Sequence, residues 1–169
     1  DIETINMYHE YLEKGYSKEE ILLKINTKGR DNARRPMQWT AEKNAGFTTG
    51  TPWIDVNPNY QTINVAAALA DKNSLFYTYQ EMIRLRKEHP LIVWGDFELL
   101  ETVDEVISFY RTYGEERWLV VTNFSDKVRP FSADVHVEQV MIENMPTDVT
   151  ALADYSLAPW QAFVVKVSQ

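Results

Sequence analysis

The sequence contains no cysteine among its 169 residues. Disulfides, thiolate nucleophiles and cysteine-based zinc sites are therefore excluded. The same absence fits a reducing compartment, and the cytoplasm is the expected location. Histidine is also scarce: His9, His89 and His136 stand far apart, without ligand-type spacing. They are expected to be surface or packing residues, with neither a metal nor a cofactor implied.

Positive charge is in deficit. Seventeen Lys and Arg against 25 Asp and Glu leave a formal net charge of -8. That argues against a nucleic-acid partner, because phosphate binding needs clustered cations, and the Arg-rich stretch 30–35 is short and mixed in sign. No apolar run approaches the length of a membrane span, so no membrane partner is expected. No signal peptide opens the chain, but neither does an initiator Met. The sequence enters directly into a helical pattern, as a piece excised from something longer would.

What is present suits a folded protein. Hydrophobic residues make up 44% of the chain and aromatics 12%, enough for a core. Aromatics also serve as stacking platforms for sugars, but cores and interfaces use them as well.

The spacing of Ile5, Tyr8 and Leu12 predicts a helix over 1–13, with Gly15 as its stop. Ser17-Lys18-Glu19-Glu20 has the form of a capping box and opens a second helix carrying Ile21, Leu22 and Ile25, ended by Gly29. From 29 to about 73 no period is sustained, and a loop of that length is often functional. Its aromatics, Trp39, Phe47, Trp53 and Tyr60, are expected to pin it to the body of the protein. A third helix follows, capped by Ser74, with Leu75, Tyr79, Met82, Ile83 and Arg86 on one face and Pro90 as its stop. Beyond it, strands are expected near 97–100, 106–113, 117–123, 128–131, 135–142 and 160–167, with a hairpin turn at 114–116. They predict a small antiparallel sandwich with Trp118, Val120 and Phe163 on or near its core. Asp104-Glu105 and Glu115-Glu116 fall at turns and are expected to be solvated charge. Three helices around a long loop make a poor independent core.

Several segments resemble one family. Asp1-Ile2-Glu3-Thr4-Ile5-Asn6-Met7-Tyr8 is similar to a stretch of the oligo-1,6-glucosidase and glucan 1,6-α-glucosidase group of the alpha-amylase superfamily. Gly29-Arg30-Asp31-Asn32-Ala33-Arg34-Arg35-Pro36-Met37-Gln38-Trp39 resembles that group's best-known loop signature. The likeness continues through Asn44-Ala45-Gly46-Phe47-Thr48-Thr49-Gly50, Pro52-Trp53, Val56-Asn57-Pro58-Asn59-Tyr60, Ile63-Asn64-Val65, Arg84-Leu85-Arg86-Lys87 and Leu157-Ala158-Pro159-Trp160-Gln161-Ala162. The resemblance implies an α+β piece. Residues 1–92 would be the last part of a (β/α)8 barrel and residues 93–169 an antiparallel β-sandwich C-terminal domain, in a monomeric enzyme.

The group's chemistry is retaining hydrolysis, in which a nucleophilic carboxylate and an acid/base carboxyl flank the glycosidic bond. The resemblance places both before the start of this sequence, with the third carboxylate and its neighbouring His, so no catalytic residue is expected here. What it assigns to this chain is substrate binding. Arg30 matches the arginine that hydrogen-bonds the non-reducing-end glucose, a task suited to a fork of donors. Glu3 matches the acidic residue near the next sugar subsite. Residue chemistry leaves other roles open: Arg30 could pair with Asp31 or a loop-end carbonyl, and Glu3 could be a first-turn carboxylate favoured by the helix dipole. Arg34 is expected to brace the loop, and Arg35 stands where the group usually has Thr.

The implied function is an exo-acting glycoside hydrolase cleaving α-1,6-glucosidic bonds in oligosaccharides. The alternatives are trehalose-6-phosphate hydrolase of the same family and, in a different class, a carbohydrate-binding or structural β-sandwich module. In that last case Trp94, Trp118 and Trp160 could stack sugars.

Overall fold

The computed structural model describes residues 2–100, 105–146, 148 and 152–168. The chain divides into two compact units, Asp1–Ser74 and Leu75–Gln169. It is a mixed α+β structure with an antiparallel sheet.

The first unit opens with a helical hairpin, α1 (Ile2–Glu13) and α2 (Lys18–Lys28). The chain reverses at Gly15, whose φ of 84° lies in the left-handed region that an L side chain resists. The capping box expected at Ser17 is formed: the Glu20 amide donates to the Ser17 hydroxyl at 3.2 Å, and the Ser17 amide donates to the Glu20 carboxylate at 3.0 Å. The Ser17 backbone N–H, followed by its hydroxyl, holds the Glu20 carboxyl below its usual range. A depressed carboxylate stabilises the fold above its unfolded value, so this cap weakens as pH falls through that range. Ile21 is fully buried, whereas α1 buries no residue completely and leaves Ile2, Ile5 and Leu12 exposed.

Beyond α2 the chain passes through short 3-10 turns and then into α3 (Val65–Ala70). This helix lies inside the stretch where no period was expected. Six residues are too few to display one, but Asn64 caps it by accepting from the Ala67 amide at 2.8 Å.

In the second unit, α4 (Leu75–Glu88) ends before Pro90, as expected, and Pro90 opens a further turn, α5 (Leu91–Trp94). The strands are β1 (Asp96–Leu99), β2 (Val106–Tyr113), β3 (Glu116–Asn123), β4 (Arg129–Phe131), β5 (Val137–Glu143), β6 (Tyr155–Leu157) and β7 (Ala162–Val167). Five of them form one antiparallel sheet in the order β1-β2-β3-β7-β5, and β4 pairs with β6. The β6 strand was not expected, because three residues cannot show an alternation. The last strand begins at Ala162 rather than at Trp160, whose φ of 59° breaks extended geometry.

Side-chain alternation gives the large sheet two apolar faces. On one, Tyr110, Leu119, Val121, Phe163, Val165 and Val167 form a core with Leu157 of β6 and, partly buried, Phe131 of β4. On the other, Trp118 packs with Leu85 of α4 and Leu91 of α5. Phe163 and Trp118 are thus both buried but on opposite faces, and Val120 is only half buried on the helix side.

The hairpin turn is tighter than expected. Tyr113 pairs with Glu116, so Glu116 belongs to β3. It is not solvated charge: its carboxylate accepts from the Trp118 indole at 2.9 Å and meets His89 Nδ1 at 3.1 Å. The His89 and Trp118 rings lie 4.6 Å apart. Glu105 is ion-paired with Arg129, while Asp104 lies outside the described residues.

Trp118→Ala is expected to destabilise the chain by about 3–5 kcal/mol, since it removes a buried indole and leaves a cavity between α4 and the sheet. Urea denaturation followed by circular dichroism measures this, and a change under about 1 kcal/mol would contradict the packing described.

Candidate functional site

The helical hairpin brings the start of α1 and the residues just past α2 to the same end. There Gly29 closes α2 by donating its amide to the Ile25 carbonyl at 2.7 Å, and Arg30 opens a 3-10 turn, Arg30–Ala33. Glu3 lies in the first turn of α1. Its carboxylate sits 3.0 Å from Arg30 Nη2, with the two side chains 71% and 54% exposed. The pair borders a depression of about 260 Å³ also lined by Thr4, Met7, Ile25 and Lys28. The two candidate sugar-binding residues therefore meet each other. Neither the Asp31 pairing considered for Arg30 nor a purely dipolar role for Glu3 anticipates that contact.

Asp31 pairs with Arg34, at 2.6 Å, so Arg34 braces the turn as expected. Both ion pairs are exposed, and such pairs contribute roughly 0–1 kcal/mol each; they orient side chains more than they hold the fold. Arg35, standing where the group usually has Thr, reaches across the loop: its Nη1 lies 3.5 and 3.4 Å from the Asp55 and Val56 carbonyls.

Side-chain amides bridge the loop beyond the turn. Of the aromatics expected to pin it, Trp53 is 92% exposed, Trp39 and Phe47 are about half exposed, and Tyr60 is partly buried. Gln38 bridges it: its side-chain amide donates to the Asn59 side-chain oxygen at 3.0 Å and to the Ile63 carbonyl, and its backbone carbonyl accepts from the Val65 amide at 2.9 Å. The Asn44 side-chain amide donates to the Thr48 and Gly50 carbonyls at 3.1 and 2.7 Å. Asn44, Ala45 and Gly46 all have positive φ, with the buried Ala45 carbonyl accepting from the Trp39 and Thr40 amides. These amide contacts went unread because a lone Gln or Asn has many possible partners. The positive-φ run had a signal in Asn44 and Gly46, residue types that tolerate that region.

Residues 3–95 match the alpha-amylase catalytic domain. The chain belongs to the alpha-amylase family. Within it, the chain is 49% identical over 167 residues to the glucan 1,6-alpha-glucosidase of Streptococcus pneumoniae, covering 99% of this chain and 31% of that relative. It is 48% identical over 174 residues to the oligo-1,6-glucosidase of Parageobacillus thermoglucosidasius, again covering 99% and 31%. The solved trehalose-6-phosphate hydrolase of Bacillus licheniformis superposes with a TM-score of 0.86 at 37% identity, over 100% of this chain and 32% of that one. The chain thus spans about a third of the length of its alpha-amylase-family relatives. No helix among the described residues is long and apolar enough to cross a membrane.

Of the three tryptophans that could have served a sugar-binding module, Trp118 is buried, while Trp94 and Trp160 are 74% and 57% exposed.

Gly46→Ala is expected to loosen the loop. Its φ of 66° is left-handed, and a Cβ would stand 2.6 Å from the Thr40 hydroxyl oxygen, a local strain on the order of 1–2 kcal/mol. Limited proteolysis within residues 36–64 should quicken while the melting of the second unit stays unchanged; equal cleavage rates would refute the strain.

Proposed function

We propose that this chain is the C-terminal part of a retaining, exo-acting glycoside hydrolase that cleaves α-1,6-glucosidic bonds in isomalto-oligosaccharides or dextran-derived oligosaccharides. The observation that carries the reading is near-half identity, along almost the whole chain, to two enzymes named for 1,6-linked glucose. In this reading residues 1–92 complete a (β/α)8 barrel and residues 93–169 form the β-sandwich behind it, in a monomeric enzyme working in the cytoplasm. The exposed apolar side chains of α1 (Ile2, Ile5) and α4 (Leu75, Tyr79, Met82, Ile83) support it, since helices of a barrel bury such faces against their neighbours.

The chain's task in the reaction is recognition. Arg30 donates from its guanidinium to hydroxyls of the terminal glucose, and the Arg30–Ala33 turn with its Asp31–Arg34 brace holds the backbone that presents it. Contacts that tighten as the ring flattens toward the oxocarbenium-like transition state lower the barrier as well as KM. The two carboxyl groups of the chemistry come from the part of the enzyme preceding these residues. A trehalose-6-phosphate hydrolase is the second reading, favoured by the superposition at TM-score 0.86. Against it, the guanidinium groups of Arg30 and Arg34 are each already matched to a carboxylate, which makes the turn a poor phosphate cradle.

In the full-length enzyme, Arg30→Ala should lower kcat/KM on isomaltose by about tenfold to a hundredfold, as charged hydrogen bonds worth roughly 1.5–3 kcal/mol are lost. Arg30→Lys should recover little, because an ammonium lacks the fork. The chain alone should release no p-nitrophenol from the aryl α-glucoside. An Arg30→Ala enzyme within about threefold of wild type, at equal melting temperature, would remove the sugar-binding role.

A further inference from the structure

We propose that Trp160 and Phe124 form a platform on the surface of the second unit that takes an internal stretch of an α-glucan chain. The choice of a glucan rests on the reading of the whole protein as an enzyme of 1,6-linked glucose.

Two backbone bonds join the segment that ends β3 to the turn before β7. The Asn123 amide donates to the Gln161 carbonyl at 2.9 Å, and the Trp160 amide donates to the Ser125 carbonyl at 3.0 Å. This pairing sets Phe124 and Trp160 on adjoining segments, where they are 58% and 57% exposed. Side-chain amides hold the arrangement from below. That of Asn123 donates to the Lys127 and Ala158 carbonyls, each at 2.8 Å, and the Gln161 side-chain carbonyl accepts from the Ala158 amide at 2.8 Å. Asn123 and Gln161 are both buried, and Asn144 donates its side-chain amide to the Trp160 carbonyl at 2.7 Å. A turn fixed in this way before a ligand arrives loses little further freedom on binding it.

Trp160 is a costly residue for that turn. Its φ of 59° lies in the left-handed region, where a bulky side chain is an outlier and Gly or Asn would be less strained. Burial does not offset the strain, since more than half of the residue faces water. A strained, exposed aromatic on a rigid turn fits recognition better than packing. Trp94 is more exposed still, but it falls inside residues 3–95, which match the catalytic domain, whereas Phe124 and Trp160 lie beyond them. The ligand follows from the chemistry. A pyranose ring presents C–H groups on its faces and hydroxyls at its rim. The flat side of an indole covers the C–H groups and removes apolar area from water while the rim stays wet. Asp126 and Lys127, both exposed in the adjoining turn, offer an acceptor and donors to such a rim. Two aromatics on adjoining segments suit successive sugars of a chain rather than one monosaccharide.

Long dextran is the discriminating probe, because an exo-acting centre meets only chain ends and a platform meets sugars all along the chain. In native gels containing dextran the full-length enzyme should run more slowly than in gels without it. Trp160→Gly should weaken the apparent affinity for dextran at least about fivefold. Gly adopts the φ of this turn without strain, so the melting temperature should not fall. Trp160→Tyr, which keeps a ring, should retain part of the retardation. In both variants kcat/KM on isomaltose should stay within about twofold of wild type, while on dextran it should fall at least about threefold in Trp160→Gly. Equal retardation of wild type and Trp160→Gly overturns the platform. So does a Trp160→Gly enzyme with a lowered melting temperature and weakened turnover of isomaltose, the signature of a packing contact within the longer enzyme. A wild-type enzyme that releases no glucose from isomaltose overturns the enzymatic reading instead, and the gels still decide whether the ring holds a glucan.

Discussion

Strand β3 is the element on which the second unit depends. It is hydrogen-bonded to β2 along one edge and to β7 along the other. A strand paired on both edges has most of its backbone groups in ladder bonds, so its faces decide what else it holds. Leu119 and Val121 on one face are fully buried, and Trp118 on the other is nearly so. Each face therefore organises a layer: the β4–β6 ladder with Leu157 below, and α4 and α5 with Leu85 and Leu91 above. Removing apolar area from water on both sides of one strand ties local strand formation to the assembly of the whole unit.

The first unit is held by a different kind of interaction. Among its described residues few are buried, Ile21, Pro36, Ala45 and Asn64 among them. Its order comes from side-chain amides that bridge distant backbone: Gln38 to the segment before α3, Asn44 across its own turn, Asn64 at the helix start. Directional bonds of this kind specify shape well but add only about 1 kcal/mol each. A unit so made presents much of its backbone at the surface and leaves the apolar side chains of α1 (Ile2, Ile5 and Leu12) exposed.

The same contrast explains how much of the candidate site could be read in advance. Residues 29–39 were marked by the family's loop signature, but the 3-10 turn at Arg30–Ala33 was not expected there, and Arg34 was expected to brace the loop without its partner Asp31 being named. The Arg30–Glu3 contact was not legible, because it arises only when the helical hairpin folds back and sets the two ends side by side. Glu116 was misread for a related reason. In sequence it belongs to an acidic pair at a turn, but the end of α4 delivers His89 to it from 27 residues away.

The sequence by itself determined the features whose cause lies within a few residues. These are the capping box at Ser17, the end of α4 before Pro90, the two-faced alternation of β2 and β3, and the family likeness carried by residues 29–65. Tertiary structure alone decided which face each strand residue serves, as with Trp118 and Phe163. It also decided where the three residues of β6 find their partner, and which carboxylate a given cation meets. Local features carry their own hydrogen bonds or periodicity and need no other segment. Contacts between distant segments are selected by burial and geometry, and no short window of sequence contains both partners.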